Sequence, residues 1–388
     1  MTTRLSPRDI LAKLVSFPTV SRDTNLPLVD WVEEYLASHG IESHRWPDPD
    51  QPHKAALFAH VGPWEEGAVV LSGHTDVVPV DGQPWTSDPF VLTEREGKLY
   101  GRGATDMKGY DALAIWALVE AQYSDLKTPL QLALSFDEEV GCTGAPPMIE
   151  AMQPVLPKGA AVIVGEPSMM QAVTGHKGGQ GFWVDVWGFE VHSSIMHTGV
   201  NAIMEAAKII AWSNDVNAAE QAKTPSPVAA MFDPPWTSLH TGLIEGGTAA
   251  NITAKHCRFD IGYRALPDAD KAAWSQMILD KVREVEAEMQ AVHPEARIEV
   301  DARFGVPGLV PEENGIAEGL VRAITGDNAT HVVSYGTEAG QFQEAGYSAV
   351  VCGPGDIAQA HQPDEFITLT QFEAGQDFMC KLVARLAD

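Results

Sequence analysis

Cysteine is scarce in this sequence and poorly arranged for its usual structural tasks. The four cysteines, Cys142, Cys257, Cys352 and Cys380, are scattered and form no CxxC pair. That argues against a disulfide-stapled scaffold and against a cysteine zinc site, and it leaves reduced, structural thiols. Positive charge is also short: 26 Lys and Arg face 53 Asp and Glu, a formal net charge of −27. Nucleic-acid binding needs a basic footprint, so no nucleic-acid partner is expected. Most of the acidity reads as solvated surface. No apolar run reaches the roughly 18 residues of a membrane span. The stretch "MTTRLSPRDILAKLVSF" lacks a signal-peptide layout, because charge interrupts each apolar core. The expectation is a cytoplasmic protein with no membrane partner.

What is present is enough apolar material for a large core: 45% of 388 residues are hydrophobic. That length suggests two domains, or one with an insertion. "LSPRDILAKLVSF" reads as a helix capped by Ser6 with Pro7 at its first position. "LPLVDWVEEYLASHG" is a second helix, ending at Gly40. "KAALFAHV", "AVVLSGH", "LQLALSF" and "AAVIVGE" are short apolar strands, separated by helices such as "DALAIWALVEAQ" and "APPMIEAM". Continuous apolar strands alternating with helices predict an α/β domain with a mostly parallel sheet.

Near residue 178 the pattern changes. "GQGFWVDVWGFEVHSS" alternates apolar and polar residues, as a half-exposed antiparallel strand does. The following segments read as β-α-β-β-α-β, an α+β unit of antiparallel sheet and two helices. The expected organisation is a discontinuous larger domain, residues 1–177 and 293–388, with an insertion over residues 178–292.

Acidic residues and histidines recur where the apolar strands end. His74 and Asp76 follow "AVVL"; Asp106 sits in "YGRGATDMKG"; Asp137, Glu138 and Glu139 follow "LQLALSF"; Glu166 follows "AAVIVG". His361, in "AHQPDEF", is a further candidate. Ligands of open parallel sheets bind at the carboxyl ends of the strands, so these side chains should converge. Each has a plainer explanation when taken alone: a hydrogen-bonded histidine, a solvated acidic turn, a helix cap at Asp106. Five coincidences at strand ends outweigh them. Clustered carboxylates repel unless a cation neutralises them. Histidine with carboxylates and no thiolate suits zinc, cobalt or manganese. Two such ions about 3.5–4 Å apart form a co-catalytic hydrolase site.

"SGHTDVVPV", "YGRGATDMKG", "SFDEEVGCTGA", "VGEPS" and "AHQPDEF" resemble the successive motifs of the dinuclear zinc aminoacylase and carboxypeptidase G-like family, over nearly the whole chain. The resemblance implies a two-metal hydrolase of N-acyl amino acids, with zinc favoured and cobalt as the alternative. It implies that His74, Asp106, Glu139, Glu166 and His361 hold the metals, with Asp106 bridging them. Asp76 then orients His74, and Glu138 is the general base. It further implies a lid and dimerisation role for the insertion, hence a homodimer, with His192 of "GFEVHSSIMHTGVNAI" stabilising the oxyanion. Asn251 of "GGTAANITAKH", Arg264 of "GYRALPD", Glu338 of "YGTEAGQF" and Gly355 of "GPGD" match substrate-side positions. An arginine fork suits an α-carboxylate. His176 and His197 are read as structural.

Overall fold

The computed structural model describes residues 3–388 and separates into two compact units. The first comprises the chain up to Gly175, Leu309–Val332 and Thr337–Asp388; the second comprises His176–Gly308 and Val333–Gly336. The insertion expected at 178–292 lies inside the second unit, which extends past it on both sides.

In the first unit, α1 (Pro7–Val15) and α2 (Leu26–Ser38) precede β1 (Ser43–Pro47), β2 (Ala55–Val61) and β3 (Ala68–His74). The Ser6 side chain accepts from the Asp9 amide and caps α1. The short strands β4 (Thr93–Arg95) and β5 (Lys98–Tyr100) lead into α3 (Lys108–Gln122). Then come β6 (Leu130–Ser135), α4 (Ala145–Met152), β7 (Gly159–Pro167) and β8 (Val173–His176).

The second unit supplies β9 (Gly178–Trp187), α5 (Ala202–Gln221), β10 (Ser238–His240), β11 (Ile244–Gly246), β12 (His256–Ala265), α6 (Lys271–Val292) and β13 (Arg297–Val306). After it follow α7 (Ile316–Thr325), β14 (His331–Val333), α8 (Ala339–Glu344), β15 (Ser348–Gly353), β16 (Phe366–Thr368) and α9 (Leu369–Ala387).

The large sheet has the order β1-β2-β6-β3-β7-β15-β8-β14. Its centre, β6-β3-β7-β15, is parallel; β2 pairs antiparallel with β6, and β1 pairs antiparallel with β2. Every residue of β3 and β6 is buried, because helices cover both faces of a parallel sheet. α3 is buried nearly all round and packs on α1, α9 and the sheet. The fit is tight at Gly165, one residue before Glu166. A Cβ there would lie 2.0 Å from the Tyr110 ring, whose hydroxyl donates to the Ile163 carbonyl at 2.8 Å.

In the second unit, β10-β12-β9-β13 form an antiparallel sheet with β11 beside β12. Phe182, Val184 and Val186 face Cys257, Phe259 and Ile261 in a core closed by α5 and α6. The alternate residues Trp183, Asp185 and Trp187 are partly exposed on the other face. This is the expected β-α-β-β-α-β order with β11 as an extra short strand. Among the described residues, no helix is long and apolar enough to cross a membrane.

Candidate metal centre

The carboxyl ends of the central strands carry the chemistry of the first unit. β3 ends on His74, which is fully buried. Its Nδ1 donates to the Asp76 carbonyl at 3.0 Å, and the Asp76 carboxylate lies 3.4 Å from the same nitrogen. That leaves Nε2 facing Asp106 Oδ1 at 3.3 Å and Glu166 Oε1 at 3.7 Å. Asp106 sits in the turn between β5 and α3, and Glu166 on β7. The other Asp106 oxygen lies 3.2 Å from His361 Nε2, which also meets Glu139 Oε2 at 2.9 Å. One carboxylate therefore lies between two histidines, with an oxygen turned toward each.

Asp76 does more than steady His74. Its carboxylate accepts from Ser21 Oγ at 2.7 Å, from the Glu138 amide at 3.1 Å and from the Glu139 amide at 3.4 Å. It thus ties the β3 end to the turn after β6. Asp137, first of the three acidic residues in that turn, points elsewhere. It pairs with buried Lys54 at 2.7 Å and accepts from Gln51 at 3.1 Å. The Cys142 thiol donates to Glu138 Oε1 at 3.2 Å.

Ligand atoms of His74, Glu138 and Glu166 all lie within 4.8 Å of one another, as do those of His74, Asp106 and Glu139. Glu138, expected to be a base, falls within the first set. Glu139 Oε1 and Glu166 Oε1 are buried with no hydrogen-bond partner. Buried acceptors left open in this way fit cation ligands. The donor set of imidazole and carboxylate, without thiolate, suits divalent ions.

The charges tell the same story. Burial pushes Glu138 up to about 7, with the nearby charge of Asp106 adding to it. Burial, then Asp106, pushes Glu139 up to about 8. Glu166 rises well above the carboxylate range through burial and then through Asp106 and Glu138. Asp106 moves the other way: burial opposes its charge, but hydrogen bonds from His361 and His74 outweigh that and hold it below the usual range. His361, hydrogen-bonded to Asp106 and Glu139, is raised to about 10.

Glu338 stands at the residue before α8 and is buried, with its Oε1 accepting from Ser135 Oγ at the end of β6. Burial, with the Glu138 charge, pushes it up to about 8. Gly355 follows β15 at φ +96°, and a Cβ there would meet the Thr105 side chain at 3.1 Å. Both therefore belong to the same neighbourhood of the first unit as the cluster.

His192, Asn251 and Arg264 belong to the second unit. His192 bridges Ile252, and the Ser193 amide donates to the Asn251 carbonyl at 2.9 Å, so His192 and Asn251 are neighbours. Arg264 is exposed on β12 and lines a cavity of about 170 Å³ with Gly179, Gly181, His240, Gly262 and Arg303. His176 is buried and pulled down to about 4 by that burial. His197 is exposed.

Sequence reasoning missed Ser21, Lys54, Arg102 and Glu365. Arg102 and Glu365 do stand inside quoted motifs, "YGRG" and "PDEF". Their buried pairing is made by the fold across 263 positions, and no spacing in the sequence signals it.

A parallel-sheet edge that gathers histidines and carboxylates in this way defines a metal-dependent hydrolase. The pattern of the Peptidase family M20/M25/M40 matches residues 70–385, and the chain belongs to that family of metal-dependent amidohydrolases. It is similar to a protein of Myxococcus xanthus named acetylornithine deacetylase, 34% identical over 97% of this chain and 96% of that one. A Proteus mirabilis protein of the same name is 33% identical over 97% and 95%. Among solved structures, the M20 family metallo-carboxypeptidase Sso-CP2 of Sulfolobus solfataricus shares the fold, with a TM-score of 0.79 at 16% identity over 99% of both chains. A Bacillus subtilis dinuclear metal binding peptidase of the M20 family shares it at a TM-score of 0.66 and 16% identity, over 98% of this chain and 97% of that one.

Metal uptake should expel protons. In the metal-free protein the donors Glu139, Glu166 and His361 hold protons at pH values where a free carboxylate or imidazole has lost them. A cation needs the deprotonated donors, so affinity should rise with pH across about pH 7 to 10. Titration calorimetry in two buffers of different ionisation heat reads the protons directly. Uptake near pH 7 with no proton release would contradict the assignment of these donors.

Proposed function

We propose that this enzyme hydrolyses N2-acetyl-L-ornithine to L-ornithine and acetate, a step of arginine biosynthesis in the cytoplasm. The observation that carries the reading is the similarity, across nearly the full length, to proteins named acetylornithine deacetylase. The same-class rivals are a succinyl-diaminopimelate desuccinylase, a broader N-acyl-amino-acid deacylase and a dipeptidase. With metal-loaded enzyme, a panel of N-acetyl, N-succinyl and dipeptide substrates should give the highest kcat/KM for N2-acetyl-L-ornithine. Faster turnover of a succinyl substrate or a dipeptide overturns the assignment.

His74, Asp106 and Glu166 are proposed to hold one divalent ion, and Asp106, Glu139 and His361 the other. Zinc is the first candidate and cobalt the second. Bound there, such ions would supply Lewis-acid chemistry, making an amide carbonyl more electrophilic and a water easier to deprotonate. Glu138 removes the water's proton and returns it to the leaving amine. Its burial supports this, because a base works best with a pKa near the working pH. The Cys142 thiol steadies one Glu138 oxygen for the exchange. His192 is proposed to stabilise the oxyanion. Its Nδ1 accepts from the Ser194 amide at 3.2 Å, which leaves the proton on Nε2, free to be donated. Arg264 is assigned to the substrate carboxylate, with Asn251, Glu338 and Gly355 as further substrate contacts.

Glu138→Gln keeps size and polarity but cannot accept the proton. Loss of general-base catalysis is worth about 10²–10⁴-fold. The variant should lose that much in kcat while binding two metal ions, whereas Glu139→Gln should lose an ion. Near-parent turnover in Glu138→Gln, or loss of an ion from it, means the two roles must be exchanged.

The second unit is proposed as the lid and the dimer contact. Its edge strand β11 exposes Ile244 with Leu243 beside it, and α5 exposes Ile203 and Met204. A Cβ on Gly247 would lie 3.1 Å from Ile203 Cδ1, so the chain just after β11 lies against the start of α5. Sedimentation equilibrium should give a dimer mass. A monomer at all concentrations removes this contact.

A further inference from the structure

Arg102 and Glu365 form an ion pair at 2.7 Å in which both side chains are at most 1% exposed. Burying two charges is costly unless their remaining donors and acceptors are used, so the pair's other bonds show what it does. Glu365 Oε1 accepts from the backbone amides of Thr105 at 2.9 Å and Asp106 at 3.1 Å. Arg102 Nη2 donates to Gln83 Oε1 at 2.5 Å, and Gln83 Nε2 donates to the His361 carbonyl at 3.0 Å. Trp85 Nε1 donates to the same Gln83 oxygen at 3.0 Å, which fixes the amide's orientation. One end of this chain thus grips the backbone of Asp106, and the other grips the backbone of His361. His361 needs a grip, because its φ of +64° lies in the left-handed region that side chains other than glycine seldom adopt. Thr86 bonds Asp364 from its amide at 2.9 Å and its hydroxyl at 2.8 Å, anchoring the same two loops a second time.

We infer that Gln83, Arg102 and Glu365 are positioning residues for the second metal site. They set the separation of Asp106 and His361, two donors that come from segments 255 positions apart in the chain. None of the three belongs to either donor group of the cluster. They act through backbone atoms of residues that do. The inference rests on the proposed two-ion reading of the cluster. It adds an asymmetry to that reading. Gln83 supports His361 alone and so bears only on the second ion. Glu365 holds the amide of Asp106, the bridge, and so bears on both.

Titration calorimetry of zinc into metal-free protein tests this without any turnover measurement. The parent should bind two ions in separable steps. Gln83 is only partly buried, so Gln83→Ala should fold. It should weaken the second step about 10–100-fold, the usual cost of removing an outer-shell support, and leave the first unchanged. Glu365→Gln should weaken both steps. Arg102 is left buried without its partner in that variant, so a loss of folding there leaves Gln83→Ala to decide. Unchanged affinities in Gln83→Ala, or equal weakening of both steps, overturn the inference even if its melting temperature falls. A parent chain that takes up fewer than two ions fails the two-ion reading first, and this inference falls with it.

Discussion

Crowding of buried carboxylates at one end of the central sheet is the constraint to which the rest of the first unit answers. Asp76, Asp106 and Glu166 are at most 5% exposed. Glu138 joins Glu166, and Glu139 joins Asp106, in the two donor sets built on His74. Charges of one sign so close together, out of water, are strongly disfavoured. The structure meets the problem in two ways. Asp76 receives Ser21, two backbone amides and His74, and it stays below the ordinary carboxylate range despite its burial. Glu139 and Glu166 each keep an oxygen with no partner, and burial raises both above the usual carboxylate range, Glu139 to about 8. The satisfied carboxylate is framework. The unsatisfied ones are where a cation would replace protons.

An open oxygen does not by itself make a ligand. Asp111 on α3 is buried, has an unpartnered Oδ1, and is pushed by burial up to about 8. Yet that oxygen faces the backbone at Gly73, where a Cβ would lie 2.1 Å from it. It does not belong to either donor set. Convergence of several open donors, including both histidines, separates the cluster from a lone buried acid.

Much of this was legible in the residue order, for a physical reason. A strand buried on both faces must be apolar throughout, so β3, β6 and β7 announce themselves, and the polar residues after them mark the sheet's working edge. β1 was not legible. Ser43–Pro47 is an edge strand of intermediate burial with no alternation to read. Nor was the three-stranded sheet of β4, β5 and β16, where strands of three residues pair Tyr100 with Phe366. Strands that short carry no period. The sheet order also has no local signal, since β15 inserts beside β7 only through long-range packing. In the second unit the local pattern was strong enough to place β9, β12 and both helices. The same pattern includes β13 as its last strand, but the boundary expected at 292 stops short of it, and the unit runs to Gly308.

At the cluster, the motif residues were found, and the residues that aim them were not. Ser21 reaches Asp76 from 55 positions away, Lys54 reaches Asp137 from 83, and Arg102 reaches Glu365 from 263. No spacing rule connects them; the fold does. Lys54 shows what such a contact decides. The run Asp137-Glu138-Glu139 offers three adjacent acids, and sequence alone cannot say why the first is not a ligand. Asp137 is claimed by a buried lysine and by Gln51, and its φ of +55° turns the chain sharply at that point. Removing Lys54 would leave Asp137 charged and unpaired in the interior, a loss of about 3–5 kcal/mol for a broken buried pair. With Asp137 anchored outward and the amides of Glu138 and Glu139 fixed on Asp76, the two glutamates are delivered together to the cluster. One turn thereby places an anchored aspartate beside the two glutamates proposed as proton carrier and metal donor, and which neighbour each carboxylate meets sets them apart.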